Sequence, residues 1–319
     1  MSYKPIIIVA GEPNSIFFEL FFKVIKKKIK SPIILIASKK LILNQAKILK
    51  KKISFNLMSE TEIIKNKSKL KKINLIDVNL NQTQAFNKIT AKSNKYISTC
   101  FDIAINLLKK NVSDKLINGP ISKKNFLKNK FNGITEYLAN KTKTKKFAMI
   151  IYNKKLSVCP LTTHLPIKLV PKKINKDEII NKVELINYFW KNRFNKKVKI
   201  AITGLNPHCE SIDNFNEDEE IILPTIQDLK KTKYNIQGPF SADTLFLKNN
   251  RKKFDLIIGM YHDQVLAPIK TLFEYDAINI TIGLPFIRVS PDHGPNETML
   301  GKNKSNSLSL LNSIKFLDF

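Results

Sequence analysis

The sequence predicts an α/β protein built on a largely parallel sheet, and three observations carry that expectation. Short β-branched runs alternate with longer amphipathic segments along almost all of the 319 residues, the rhythm of βαβ units. Several apolar runs end in turn-like clusters of Gly, Pro, Asn and His, as strands do where loops gather at a carboxyl edge. Hydrophobic residues make up 43% of the chain, enough for a substantial core and too many for general disorder.

Taken in order, Ile6–Ala10 is an apolar run and reads as the first strand, followed by a helix over Ile16–Lys28 with apolar residues at helical spacing. Ile33–Ala37 is the second strand and Lys40–Lys50 the second helix. From Thr83 to Leu108, Phe86, Ile89, Tyr96, Ile97, Cys100, Phe101, Ala104, Leu107 and Leu108 keep a 3.6-residue period, which predicts one long helix. Leu116-Ile117 then feeds Asn118-Gly119-Pro120. Phe147–Tyr152 and Leu156–Leu161 predict adjacent strands about a turn at Asn153-Lys154. Asn175 is a suitable cap for a helix over Asp177–Trp190. Val198–Thr203, Phe254–Met260 and Ala277–Ile282 predict strands, and Glu217–Lys230 and Ser307–Phe316 predict helices. Length is a soft indication of two domains, and the change of rhythm puts a boundary near residue 130.

Composition excludes several classes. No apolar run approaches the ~18 residues of a membrane span, and the first apolar run is too short for a secretory signal. Cys100, Cys159 and Cys209 are odd in number and unpatterned, which suits a reducing, cytoplasmic setting. The net charge of +29 invites a nucleic-acid reading. Of the 55 basic residues, however, only Arg193, Arg251 and Arg288 are arginine, and lysine is the poorer residue for bidentate base or phosphate recognition. The lysines are spread along the whole chain without aromatic interleaving, so a solvated surface explains them better than a specific nucleic-acid footprint.

Chemistry concentrates at the turns. Three of the four histidines close apolar runs: His164 after Leu156–Leu161, His208 after Val198–Thr203, and His262 after Phe254–Met260. Imidazoles delivered to one sheet edge make a plausible divalent-metal site. Each taken alone is more often a structural residue. His293 is a fourth candidate, as ligand or general acid/base. Lys270, Asn279 and Arg288, each near a strand end or turn, suit a phosphate or carboxylate. Asp243 follows a Gly238-Pro239 turn and is flanked by apolar residues. Partial desolvation with a raised pKa would make it a general base, and a helix N-cap is the plain alternative. Asp263, beside His262, could orient an imidazole. Neither a Gly-x-Gly-x-x-Gly turn nor a P-loop follows the first strand.

Together these motifs carry a resemblance. Gly11-Glu12-Pro13, Asn118-Gly119-Pro120 with Lys123, Gly133-Ile134-Thr135-Glu136, Thr162 to Pro166, Gly204 to His208, Gly238 to Phe246, Met260 to Gln264, Asn279 to Arg288 and Asp292-His293-Gly294 resemble, in this order, the 4-hydroxythreonine-4-phosphate dehydrogenase family of pyridoxine phosphate biosynthesis. The resemblance runs from residue 6 to about residue 302. It implies a two-domain α/β/α fold like that of isocitrate and isopropylmalate dehydrogenases, with residues 1–130 and 285–319 in one domain and 131–284 in the other. It implies a homodimer whose active site lies in the interdomain cleft and draws on both subunits, NAD as oxidant, and one divalent metal (zinc, magnesium or cobalt) on His164, His208 and His262. Substrate-binding positions of the family fall on Ile134, Thr135, Lys270, Asn279 and Arg288. Ile134 replaces a histidine of the family's motif. The first loop, Gly-Glu-Pro-Ala-Gly-Ile-Gly-Pro-Glu in the family, here runs from Gly11 to Glu19 without its second and third glycines and second proline. The stretch Glu210–Asn216 has lost its glycines, and His293 is followed by Gly-Pro-Asn. The activity implied is C3 oxidation of 4-phosphooxy-L-threonine. A dehydrogenase of threonate or erythronate 4-phosphate and a non-catalytic homologue are the alternatives, with polyanion binding as a third that rests on charge alone.

Overall fold

The computed structural model describes residues 3–127, 130–212 and 215–319. The chain divides into two compact units, one running to Leu138 and resuming at Pro285 to Phe319, the other spanning Ala139–Leu284.

The first unit opens with β1 (Ile6–Val9), every residue buried. Helix α1 (Phe17–Val24) follows and buries Phe17, Phe18, Phe21 and Phe22, whose rings stack in i, i+4 pairs. Strand β2 (Ile33–Ala37) leads into α2 (Lys39–Ile48), capped by the Ser38 hydroxyl on Leu41 N. Several elements absent from the sequence reading come next or later in this unit, the helix over Ile134–Lys141 among them. Strand β3 (Asn56–Leu57) is only two residues long, and α3 (Glu60–Lys65) is held by a Ser59–Glu62 capping box. Strand β4 (Ile73–Asp77) is the third of them.

Helix α4 (Asn94–Lys109) starts eleven residues later than the period predicted, at Asn94 and not Thr83. The backbone of the preceding segment is engaged elsewhere: Gln45 donates to Ala85 O, Asn87 N to Asn14 Oδ1 and Ile89 N to Glu297 Oε2. Phe86 and Ile89 therefore match the helical period without belonging to the helix. Strand β5 (Lys115–Asn118) follows, and α5 (Ile134–Lys141) carries the chain to the second unit.

The second unit starts with β6 (Ala148–Tyr152) and β7 (Ser157–Pro160), an antiparallel pair as expected. Helix α6 (Lys176–Phe194) is capped by Asn175 Oδ1 on Glu178 N. After β8 (Lys199–Thr203), the predicted helix over Glu217–Lys230 begins as a wide π-type turn at Asp218–Ile222 and becomes regular only as α7 (Leu223–Lys230). Pro224 is the cause, since it cannot donate the i→i−4 bond. Strand β9 (Asn235–Phe240), short helices α8 (Ala242–Leu245) and α9 (Lys248–Arg251), and β10 (Leu256–Gly259) lead to α10 (His262–Phe273), which the sequence reading missed. Strand β11 (Ile278–Ile282) completes the unit. The chain then returns to the first unit as β12 (Ile287–Pro291), also absent from the sequence reading, and α11 (Leu308–Leu317).

Strand order in the first unit is β3-β4-β2-β1-β5-β12, all parallel. In the second it is β11-β6-β7-β10-β8-β9, with β6 antiparallel to both neighbours and the remaining pairs parallel. Strands buried on both faces read as continuous apolar runs, and that is how Ile6–Val9, Ile33–Ala37 and Leu256–Gly259 read.

The buried thiols are fillers. Burial pushes Cys100 up to about 12 and Cys159 to about 11, leaving both protonated and unreactive. Among the described residues no helix is long and apolar enough to cross a membrane.

Candidate metal and anion sites

Strands β7, β10 and β8 are adjacent and parallel in the second unit, so their chain exits share one edge. Beyond those exits come His164, His262 and His208 respectively. Hydrogen bonds join the three loops. Leu161 N donates to Gly259 O (2.7 Å), and Thr162 gives both its N–H and its hydroxyl to Met260 O (3.2 and 2.7 Å). Met260 N in turn donates to Gln264 Oε1 (2.7 Å), which also accepts from Thr203 Oγ1 (2.9 Å). Gln264 Nε2 donates to Gly204 O (2.7 Å). Gln264, a residue to which the sequence reading gave no role, thus ties the His262 loop to the His208 loop. Its signal in the sequence was only its place two residues after His262.

The rings of His164 and His262 lie 5.6 Å apart between centroids. His262 Nδ1 is 2.6 Å from Asp263 Oδ1, the orienting contact expected of Asp263. Nδ1–H donating to the carboxylate leaves the Nε2 lone pair as a ligand atom, the arrangement common around metal-binding imidazoles. His164, His208 and Cys209 have φ of 51°, 57° and 63°, a left-handed conformation that costs energy for residues with a Cβ and clusters at functional sites. Among the described residues, no group of three or more His, Cys, Asp or Glu side chains is gathered tightly enough to hold a metal. The single chain therefore brings His164 and His262 together and leaves His208 out of the pair. Two imidazoles, one carboxylate-oriented, fit a divalent cation. Of the loop that follows His208, Asp213 and Asn214 lie outside the described residues.

Asp243 needs correcting. It is exposed, on the first turn of α8, where Leu245 and Phe246 take up the burial instead. The flanking apolar residues point the helix's other side into the core, so the expected desolvation of the carboxyl is absent. Nor is it the N-cap, a position held by Ser241. Lys270 is exposed on α10, the helix that His262 begins, and Asn279 is half-buried on β11. His293 is half-buried with Nδ1 3.0 Å from Gly294 O, and burial pushes its pKa down, so it is a neutral imidazole at pH 7.

The first unit assembles a separate cluster. Arg288, on β12, is 1% exposed. Its Nε donates to Asn118 Oδ1 at 2.7 Å and its Nη1 to Thr135 Oγ1 at 3.5 Å. Burial pushes the guanidinium down to about 9, with Glu136 opposing the fall, so it remains charged at neutral pH. Ile134 is half-buried and, with buried Thr135, forms the first turn of α5. Backbone N–H groups of a helix's first turn, a hydroxyl and a cation beneath them suit an anion. Arg288 thus supplies charge from within the unit and does not project from it.

One titratable residue escaped the sequence reading except as part of a motif. Glu12, 2% exposed, follows β1 and accepts from Asn14 N (3.3 Å) and Ser93 Oγ (3.2 Å). Desolvation raises it from 4.5 to about 7, Asn14 and Ser93 pull it down, and Glu297 raises it further. A carboxyl raised by folding stabilises the fold fully below pH ~4.5 and loses that contribution as pH rises through 7, a change of at most about 3 kcal/mol. Glu12→Gln should therefore melt several degrees above the parent at pH 8 and level with it at pH 4.5. Equal melting at both values would contradict the assignment. The turn itself is closed: a Cβ at Gly11 would lie 2.5 Å from Pro120 O, and one at Gly119 would lie 2.1 Å from Ala10 O. The facing loop, not space for a pyrophosphate, occupies this turn. Asn14 and Ser15, which stand where the family's loop carries alanine and glycine, pin it further through Asn14–Gln82 amide pairing and Ser15 Oγ on Glu12 O.

The sheet is that of an α/β protein, and named relatives place the chain in one class, the oxidoreductases. Residues 28–317 match the family model described as pyridoxal phosphate biosynthetic protein PdxA, and the chain belongs to that family. It is 37% identical to a 4-hydroxythreonine-4-phosphate dehydrogenase of Sulfurihydrogenibium sp. over 97% of this chain and 95% of that protein. It is 32% identical to a D-threonate 4-phosphate dehydrogenase of Salmonella typhimurium over 76% of each. A crystal structure of 4-hydroxythreonine-4-phosphate dehydrogenase from Klebsiella pneumoniae superposes with a TM-score of 0.82 at 26% identity, covering 98% of both chains.

Proposed function

We propose that this chain oxidises 4-phosphooxy-L-threonine at its C3 hydroxyl, with NAD and a divalent metal, to 2-amino-3-oxo-4-phosphooxybutanoate, which loses carbon dioxide to give 3-amino-2-oxopropyl phosphate. The observation that carries the reading is the delivery of His164, His262 and His208 to one sheet edge by three adjacent parallel strands, with the first two rings 5.6 Å apart. We assign all three as metal ligands, the set being completed in the homodimer. When bound, the cation supplies Lewis acidity at the C3 hydroxyl, and NAD supplies the hydride acceptor.

The chain's own groups do the rest. Asp263 holds the His262 ring in one tautomer. Arg288, Thr135, Ile134 with the start of α5, Lys270 and Asn279 are assigned to the substrate's anionic ends, whose binding orients the reacting carbon. Asp243, an exposed carboxylate, is assigned to accept the C3 hydroxyl proton. The β-keto acid that results has a carboxylate β to the new carbonyl, so decarboxylation needs no further group.

A second reading is favoured by Ile134. An apolar side chain stands where the family's motif carries histidine, and relatives named D-threonate 4-phosphate dehydrogenase match at 31–32% identity. The test is NADH formation with 4-phosphooxy-L-threonine, D-threonate 4-phosphate and D-erythronate 4-phosphate, each with added zinc, cobalt or magnesium. A kcat/KM at least tenfold higher for the amino acid supports the first reading. The reverse order supports the second, and no turnover with any of them contradicts both.

A further inference from the structure

We propose that Asp218 is the positioning residue that presets His208 for metal binding, and so sets the affinity and geometry of the centre. The proposal rests on the reading of His164, His208 and His262 as ligands.

The π-type turn before α7 buries Asp218 to 1% exposure and aims its carboxylate at the loop after β8. Oδ1 accepts from Leu205 N at 2.7 Å. Oδ2 accepts from Asn206 N at 2.9 Å and from Asn206 Nδ2 at 3.1 Å. Asp218 N is itself held by Asn216 Oδ1 at 3.0 Å. The bonds end on Leu205 and Asn206, with only Pro207 between them and the strained pair. Asn206 O accepts from Cys209 N and Pro207 O from Glu210 N, both at 3.1 Å, closing a turn in which His208 (φ 57°) and Cys209 (φ 63°) are both left-handed. Two successive left-handed residues with side chains do not persist without a clamp, and Asp218 clamps the entry to that turn.

Gly204 makes the reach possible. A Cβ there would lie 2.5 Å from Asp218 Oδ1 and 2.7 Å from Cys209 Sγ. On the loop's other side, Gln264 Nε2 holds Gly204 O. A ligand loop held in one conformation loses less freedom when a cation binds, which is how a buried carboxylate without metal contact raises affinity.

The ordinary alternative is that Asp218 only stabilises the loop. Cobalt binding separates the two, because a stability role moves the melting point and not the coordination spectrum. The whole chain, freed of metal, is titrated with Co²⁺ by calorimetry and visible absorption. The panel is the parent, Asp218→Asn, Asn206→Ala and the control Asp255→Asn. Asparagine at 218 turns an NH₂ toward donors that now face an oxygen. Asp255 makes comparable bonds, to Lys196 Nζ (2.6 Å) and Lys199 N (2.9 Å), at the start of β8 and away from the histidine edge. Asp218→Asn should bind Co²⁺ about 10–100-fold more weakly with altered d–d bands. Asn206→Ala should shift both in the same direction by less, and Asp255→Asn should leave both unchanged. Unaltered affinity and spectrum in Asp218→Asn, or an equal loss in Asp255→Asn, would overturn the proposal. If Asp218→Asn does not fold, Asn206→Ala decides by the same criteria. A parent that binds no Co²⁺ overturns the metal reading itself, a pattern distinct from failure of the variants alone.

Discussion

His262→Ala is expected to lose stoichiometric divalent metal and to lower kcat/KM by about 10³-fold or more, equivalent to about 4 kcal/mol of transition-state stabilisation. His262 is half-exposed at the first residue of α10, a position that alanine fills without strain. Strand β10 before it is anchored through Gly259 O, Met260 N and Met260 O, none of which involves the imidazole. The variant should therefore melt within a few degrees of the parent, and the loss should appear in metal content and turnover together. His164→Ala should behave alike, because its ring is the one that His262 faces at 5.6 Å. Retention of a tenth of the parent's activity in a metal-free His262→Ala protein would contradict the Lewis-acid role.

Arg288→Lys is the second large effect. Lysine keeps the charge but loses the fork that lets one side chain donate to Asn118 Oδ1 and Thr135 Oγ1 at once. The expected result is a KM for the phosphorylated substrate raised about 10–100-fold, with a smaller fall in kcat. Arg288→Met goes further, because it leaves Glu136 and Asn118 facing a buried site without the cation. Leaving the buried Asn118 Oδ1 without its donor costs about 1–3 kcal/mol, so this variant should melt below the parent. Inorganic phosphate tests the anion role separately. It should raise the parent's melting temperature, as any ligand of the folded state does, and should fail to do so in Arg288→Lys. An equal phosphate shift in both proteins would leave Arg288 a structural residue only.

Much of the candidate site's placement was legible because its residues sit at punctuation. A histidine a few residues after a β-branched run, with Gly or Pro beside it, marks a strand exit, and β7, β8 and β10 end there. Arg288 stood out because arginine is so scarce in this chain. The fold was read where strands are uninterrupted apolar runs and missed where they are not. Strands β3 and β9 carry Asn, Gln, Gly or Pro, and β4 hides Asn74, whose amide is satisfied by Ile33 O and Lys71 O. The α4 overrun shows the limit of periodicity, since Phe86 and Ile89 keep phase while side chains from distant segments hold the backbone. Asp218 and Gln264 were beyond reach for a related reason. Their meaning lies in backbone atoms of Leu205, Asn206, Met260 and Gly204, partners that sequence spacing does not reveal. Asp243 was misjudged because apolar neighbours in sequence say nothing about which side of a short helix faces solvent.

The most direct measurement is anomalous X-ray diffraction from crystals grown with zinc or cobalt, locating the metal and its ligands. The prediction is one cation per site bound by nitrogens of His164, His208 and His262 at about 2.0–2.1 Å, counting both subunits of the proposed dimer. A cation bound elsewhere, or these imidazoles left without metal at saturating concentration, would contradict the claim that three strand-end loops build one metal centre.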